Sequence, residues 1–281
     1  MSTMRKLREY LNRPLSFAVF LLIIISTVIT AFTVVFIIGY IFIKGVPNLS
    51  LDLFSLKYSS ANQSMLPSII NTVYMTALTL LLAVPIGIFS AIYLAEYSRK
   101  NSFFVKIINI ANETLSGIPS IVYGLFGFLA FVISKKWGYS LLAGVITLAI
   151  MVLPLIIRTS QEAMLGVDNT FREASYGLGA GKLRTVFKIV LPSAMPGILS
   201  GIILAIGRIV GETAALIYTA GTVPEAATKL TSSSRTISVH LYCLLNEGLY
   251  TEQAYATAVV LIVFVVIINA LSNALAKKIM K

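Results

Sequence analysis

A single cysteine, Cys243, and a single histidine, His240, leave this chain with few of the side chains that redox, metal and nucleophilic chemistry use. One cysteine forms no intrachain disulfide and no thiolate cluster. One histidine builds neither a multi-histidine metal site nor a His-based catalytic set. Cys243 reads as a buried small hydrophobe, and His240 as a solvated residue of an outer loop. Charge is scarce as well. Only 12% of residues are Asp, Glu, Lys or Arg, about half the share of an average soluble domain.

What fills the space is long apolar runs, with 57% of the chain hydrophobic. A bilayer span needs about 20 mostly apolar residues. Six stretches qualify, at 15–43, 67–95, 107–133, 140–157, 196–220 and 253–276. The chain therefore reads as all-α, a polytopic transmembrane helical bundle of six spans. The first run is too long for the apolar core of a cleaved signal peptide and reads as a signal anchor. The net charge is +11, but the Lys and Arg lie in short bands between the apolar runs. That pattern belongs to loops facing an anionic membrane leaflet, with membrane lipid and not nucleic acid as the partner.

The bands also orient the chain. Arg5, Lys6, Arg8 and Arg13 precede the first span, and Arg99, Lys100 and Lys106 separate the second and third. Arg158, Arg172, Lys182, Arg184 and Lys188 separate the fourth and fifth, and Lys277, Lys278 and Lys281 follow the sixth. The opposite side holds only Lys44, Lys57, Lys135, Lys136, Lys229 and Arg235. The positive-inside rule then places both termini in the cytoplasm. Residues 1–66 read as a cytoplasmic tail, first span and outer loop. Residues 67–281 read as the core, with a long cytoplasmic loop at 158–196. The outer segments 44–66 and 221–252 are polar enough to form ordered lids or docking surfaces.

Long loops usually carry function. Within 158–196, Thr170 and Glu173 have the spacing of a capping box, in which the Thr hydroxyl caps the helix and Glu173 reaches back. Gly179 is a natural residue just past the helix end. Phe171, Ala174, Ser175 and Leu178 share one face of that helix. A second short helix follows with Leu183, Val186, Phe187 and Val190 on one face, and Pro192 is expected to break the chain before the fifth span. Physics alone leaves two readings open, an interfacial amphipathic pair on the membrane or a docking element for a partner. The run from Gly177 to Lys182 has the look of a phosphate-cradling loop. It lacks the Walker spacing, with Tyr176 and Leu183 where that motif needs Gly and Ser or Thr.

The fifth span contains Arg208 and Glu212. A charge at bilayer depth costs at least about 2.5–3.5 kcal/mol on insertion scales, so it marks a candidate functional site. At about 100° per residue, Gly197, Ser200, Gly201, Gly207, Arg208, Gly211, Glu212 and Ala215 fall within an arc of roughly 140°. Bulky apolar residues take the opposite side, with Leu204 as the misfit. The stripe reads as an anion path in which Arg208 binds the anion and Glu212 neutralises Arg208 between turnovers. A buried Arg–Glu pair that fixes helix register is the alternative.

Two sets of residues carry a family resemblance. Glu173-Ala174-Ser175, then Gly179, then Ile189-Val190-Leu191-Pro192 resembles the EAA loop of ABC-importer permeases, with Ser175 departing at its third position. Arg208 with Gly211-Glu212-Thr213-Ala214 is similar to an element of phosphate ABC permeases, closer to the PstA type than to PstC; Ala215 stands where that family often has proline. The run from Gly117 to Gly127 and the segment Leu153-Pro154-Leu155-Ile156-Ile157-Arg158-Thr159 share the likeness.

The resemblance implies a type I ABC importer permease fold in a bacterial or archaeal plasma membrane. It implies a transport subunit that is not itself an enzyme, needs no cofactor of its own, and leaves ATP and magnesium to a partner ATPase dimer. A second, paralogous permease subunit and an extracytoplasmic phosphate-binding protein complete the expected partners. Arg208, Glu212, Thr213 and Arg158 would line the substrate path. Thr170, Phe171, Glu173, Ala174, Ser175, Gly179, Ile189, Leu191 and Pro192 would couple to the ATPase. A molybdate or sulfate permease, or an ATP-independent anion carrier, are the alternatives. An enzyme acting on lipid phosphate would need a nucleophile–base or metal set that the sequence does not display.

Overall fold

The computed structural model describes residues 14–98 and 102–279. Arg5, Lys6, Arg8, Arg13, Arg99, Lys100 and Lys281, which bear on the orientation argument, lie outside the described residues. Those described are helical with irregular connections and no strands. Five helices are long and apolar enough to cross a membrane, and a bent helix pair makes a sixth span if it counts as one.

Helix α1, Pro14–Gly45, is apolar on all sides. Its few hydroxyls bond inward: Thr27, Thr30 and Thr33 each donate to the carbonyl four residues earlier at 2.8 Å, which satisfies them without water. None of its apolar window is buried in the chain. It meets α11 (Thr251–Ile279) through an edge contact of Tyr40 on Tyr255 at 5.9 Å. Helix α2, Leu66–Ile92, continues as a wide turn through Tyr97.

The third apolar run is two helices. Helix α3, Phe103–Gly117, and helix α4, Ser120–Gly127, extended by a wide turn to Ser134, meet at a bend of 102°. Pro119 causes it. The residue before proline is pushed out of the helical region, and Ile118 is accordingly extended at ψ 130.

Helix α5, Leu141–Leu165, is the axis of the bundle, with 61% of its apolar window buried. It runs eight residues past the expected end of the fourth span, so Arg158 and Glu162 are helical. The main core gathers Leu148, Met151, Val152 and Ile156 of α5 with Met75 and Ala83 of α2. Ala205 and Ile209 of α8 (Leu191–Gly211) and Leu216 of α9 (Ala214–Thr219) complete it. Small residues set the helix spacing. A Cβ added at Gly197 would lie 2.6 Å from the Ala163 side chain, and one at Gly201 would collide with Thr159. The small stripe of the fifth span thus brings α8 close to α5 in its first half. Gly207 and Gly211 have nothing facing them.

Helices α6 (Asn169–Gly177) and α7 (Lys182–Thr185) form the loop before α8. On the opposite side lies α10, Ile237–Glu247. Here His240 departs from its solvated reading: it is fully buried, edge-on to Tyr58 at 6.4 Å. The Arg235 guanidinium lies 4.8 Å over the same Tyr58 ring. Burial first, then the charge of Arg235, pulls the His240 imidazole down to about 3. Cys243 is half-buried against the main core as expected, and burial pushes its thiol up.

Candidate functional site

Two regions hold all but Arg158 of the residues singled out in the sequence, one at the end of α8 and one in the loop between α5 and α8. The fifth span was expected to run unbroken to 220. The structure ends α8 at Gly211 and turns the chain through Glu212, extended at ψ 131, and Thr213 before α9 begins. Nothing in Gly-Glu-Thr-Ala-Ala compels this break. The packing does. A Cβ at Gly124 of α4 would lie 2.9 Å from Ala215 Cα and 3.1 Å from the Ala214 carbonyl oxygen. The backbone of α9 is thus pressed directly on α4, an orientation that a straight continuation of α8 does not have to satisfy.

The break corrects the expected Arg208–Glu212 pair. Glu212 is buried, and its carboxylate accepts the Ala215 amide N–H at 3.0 Å. It caps the first turn of α9, where a carboxylate is favoured by exposed N–H groups and the helix dipole. Among the described residues the ion pairs are Arg158–Glu162 and Arg172–Glu96. Arg208 is half-buried and makes neither a hydrogen bond nor an ion pair within the described chain. Its charge reaches the Tyr123 hydroxyl, which donates to the Leu115 carbonyl at 2.8 Å and ties α4 across its own break to α3. Two interrupted helices therefore meet beside one uncompensated guanidinium. In hydrocarbon, irregular backbone is tolerated where it is enclosed by protein or lines an aqueous cavity, and discontinuous helices recur at transport sites. Thr213 is half-buried in the linker, and its carbonyl accepts the Ile217 amide at 3.1 Å.

Arg158 lies elsewhere, on α5. Its Nε donates to Glu162 at 2.9 Å, and both side chains are exposed. It borders a cleft of about 200 Å³ lined also by Asn109, Asn112, Glu113 and Gln161. With Glu162 and Glu113 as its charged neighbours, Arg158 is already compensated. Its environment is opposite to that of Arg208.

In the loop, the helix forms but its cap is one the sequence reading missed. The N-cap is Asp168, whose Oδ1 accepts both the Thr170 amide and the Thr170 hydroxyl at 2.9 Å. These two bonds hold the Asp168 carboxyl below the usual carboxylate range. Thr170 is thus inside the helix, and Glu173 is exposed and does not reach back. An Asp two residues before a Thr is an equally good capping signal, and it was legible. Gly179 terminates the helix as expected: at φ +81 it occupies the left-handed region that suits glycine. The Ala180 amide bonds Ser175 O at 3.1 Å and the Gly179 amide bonds Tyr176 O at 2.9 Å, the paired closure of a Schellman turn. The glycine run before Lys182 is this turn, and no strand leads into it.

Ser175 has a purpose of its own. Its buried hydroxyl shares a 2.8 Å hydrogen bond with Thr185 Oγ1, joining α6 to α7. The apolar residues grouped with it do not face the chain interior: Phe171 is 56%, Leu178 90% and Leu183 65% exposed. Val186 and Val190 instead bury with Ile92, Met164, Ala194 and Ile198, rooting the loop in the bundle. Pro192 does not break the chain. Residues 182–211 run as one helical segment, because the wide turn Val186–Val190 loosens the hydrogen-bond ladder where proline has no N–H to give. Ile189 and Leu191 are half-buried on that segment.

The residue least visible in the sequence is Glu96. Arg172 donates to its Oε1 from Nε at 3.1 Å and Nη2 at 2.6 Å. Arg172 also donates to Met164 O at 2.8 Å, Val167 O at 2.7 Å and Asn169 Oδ1 at 3.3 Å. An arginine counted among the loop cations is thus a buried clasp between α6, α5 and the end of α2.

Comparison with known proteins agrees with these features. The family model for the binding-protein-dependent transport system inner membrane component matches residues 83–281. The phosphate transport system permease protein PstA of Pasteurella multocida is 34% identical over 269 residues, covering 94% of this chain and 93% of that protein. PstA of Haemophilus influenzae is 36% identical over 222 residues, covering 78% of each. A bacterial ABC transporter involved in the import of the acidic polysaccharide alginate superposes with a TM-score of 0.68 at 17% identity, over 99% of this chain and 100% of that one, which shows a shared fold. With apolar spans, a loop helix rooted in the bundle and a matched stretch from α2 to the end, the chain belongs to the binding-protein-dependent transport system inner membrane component family.

Proposed function

We propose that the chain is the transmembrane permease subunit of an ATP-driven phosphate importer, with both termini cytoplasmic. The observation that carries the anion path is Arg208, a membrane-depth guanidinium that Glu212 does not neutralise and that sits where two helices are interrupted. A planar, permanently charged donor fork suits phosphate oxygens. PstA relatives share the sequence over most of the chain, which supports phosphate as the cargo.

ATP is hydrolysed on a partner ATPase dimer that carries the nucleotide and magnesium, and this chain supplies the docking knob. Phe171, Leu178 and Leu183 project from a segment whose root is buried, and Asp168 and Gly179 stop both ends of its helix from fraying. A second permease subunit of PstC type and an extracytoplasmic phosphate-binding protein complete the assembly. The test is uptake into vesicles holding the reconstituted complex, with phosphate, sulfate and molybdate compared. Phosphate should enter in an ATP-dependent way and the other two should not. Uptake without ATP, or preference for another oxyanion, overturns the reading.

A further inference from the structure

The loop of α6 and α7 and the outer segment 221–237 lie at opposite ends of one helix, and side chains of that helix hold both. At its cytoplasmic end, consecutive residues take the two halves of the loop. Glu96 accepts two hydrogen bonds from Arg172 of α6, and the Tyr97 ring lies 4.9 Å beneath Lys182 Nζ of α7. The Glu96 and Arg172 side chains are only 6% and 13% exposed, so the pair is shielded from the screening that makes surface ion pairs slack.

At the other end, Asn71 spends its whole amide on the outer segment. Its Nδ2 donates to Glu225 O at 2.9 Å and Arg235 O at 3.2 Å, and its Oδ1 accepts the Ala227 amide at 2.8 Å. One residue on, Thr72 Oγ1 accepts the Ile237 amide at 2.9 Å. Asn71 and Thr72 are themselves buried, and their bonds reach across more than 150 positions of sequence. Between the two ends, residues 66–97 form one helical segment of 32 residues, about 48 Å at 1.5 Å per residue. Its middle is keyed to α5, since a Cβ at Gly87 would lie 2.6 Å from the Ile156 side chain.

We infer that α2 is a tie rod: Glu96 takes up displacement of the loop through Arg172, and Asn71 and Thr72 deliver it to the outer segment. The backbone hydrogen bonds of the helix resist stretching, and Pro85, which has no N–H to give, removes one of them without ending the segment, so a pull at one end arrives at the other. The clasp also binds the carbonyls of Met164 in the last turn of α5 and of Val167 just beyond it, so the loop moves α2 and α5 together. Glu96 and Asn71 are positioning residues in this scheme and touch no substrate. The inference rests on the proposed docking of α6 to a partner ATPase.

The test uses the whole transporter in vesicles, with the phosphate-loaded extracytoplasmic binding protein supplied at the outer face as the stimulus. Glu96→Gln and, separately, Asn71→Leu should leave the amount of assembled complex and unstimulated ATP hydrolysis within about twofold of the parent. Each should lower phosphate moved per ATP hydrolysed at least tenfold and abolish stimulation of hydrolysis by the binding protein. Glu96→Asp, which keeps the charge, should recover part of the ratio. An unchanged ratio, with uptake falling only in step with assembled complex, makes the pair a structural clasp and overturns the inference. Crosslinking of Leu178→Cys to the ATPase subunit, in a Cys243→Ser background, separates the two proposals. Absence of the crosslink sinks the docking reading, whereas a crosslink with an unchanged transport ratio sinks the tie rod alone.

Discussion

Arg172 and Arg208 have the same side chain and opposite surroundings. Arg172 donates to four acceptors within its own chain, two of them backbone carbonyls and one a buried carboxylate. Among the described residues Arg208 has no acceptor, although Glu212 is only four residues away, because α8 ends at Gly211 and the Glu212 carboxylate, past the break, accepts the Ala215 amide. A buried arginine satisfied by its own chain is a fastener. Arg208, left without an acceptor among the described residues beside the break between α8 and α9, is the group proposed to meet the anion. Arg235 is a third case, buried over Tyr58 with Nε and Nη2 lacking acceptors; there the aromatic face supplies much of what an anion would.

The largest effect that would break this contrast concerns Arg208. Arg208→Gln should lower phosphate uptake by about tenfold to a hundredfold, the range expected when a charge-assisted contact of about 1.5–3 kcal/mol is lost. Assembly of the complex, followed by co-purification, should be unchanged. Uptake at the parent level would return Arg208 to a structural role.

Next in size is the response to acid of the outer cluster. The neutral His240 ring has a folded-state value of about 3, below its ordinary 6.5. The unfolded chain therefore binds the extra proton first, and stability is lost as pH falls from about 6.5 toward 3. The slope should approach on the order of 1.4 kcal/mol per pH unit. Thermal unfolding of the purified protein between pH 7 and 4 measures it, and His240→Gln should flatten the dependence.

A smaller loss is expected at the joint of α6 and α7. Ser175→Ala should cost about 1 kcal/mol by removing the hydrogen bond to Thr185. The double variant with Thr185→Val should cost less than the two single losses combined, and denaturation of all three reads the coupling. Strict additivity would mean that the two hydroxyls do not interact. The smallest change should follow Glu212→Gln, whose amide oxygen can still accept from Ala215. Uptake within about twofold of the parent fits the capping role, since a neutral cap of this kind retains most of its value. A loss as large as that of Arg208→Gln would revive the ion pair.

Some of this was readable in order along the chain. Gly179 declared its left-handed turn, the apolar runs declared the spans, and Ser175 kept the small size that its buried position needs. Local patterns fail where a distant segment decides. Pro192 has the chemistry of a helix breaker, yet a wide turn just before it absorbs the missing bond. Gly-Glu-Thr-Ala-Ala has the composition of a continuing helix, yet contact with Gly124 accompanies its interruption. Thr170 offered one capping signal and Asp168 another, and only the backbone course chose between them.

By itself, then, the sequence determined where the apolar runs lie, the cationic bands between them and the turn at Gly179. These depend on transfer from water to lipid and on local dihedral preferences, which each segment carries within itself. Tertiary structure alone decided that Arg172 would meet Glu96 across 76 positions, that His240 would be buried, and that Arg208 would be left without Glu212. Such outcomes depend on which groups are brought within hydrogen-bonding reach once the helices pack and break.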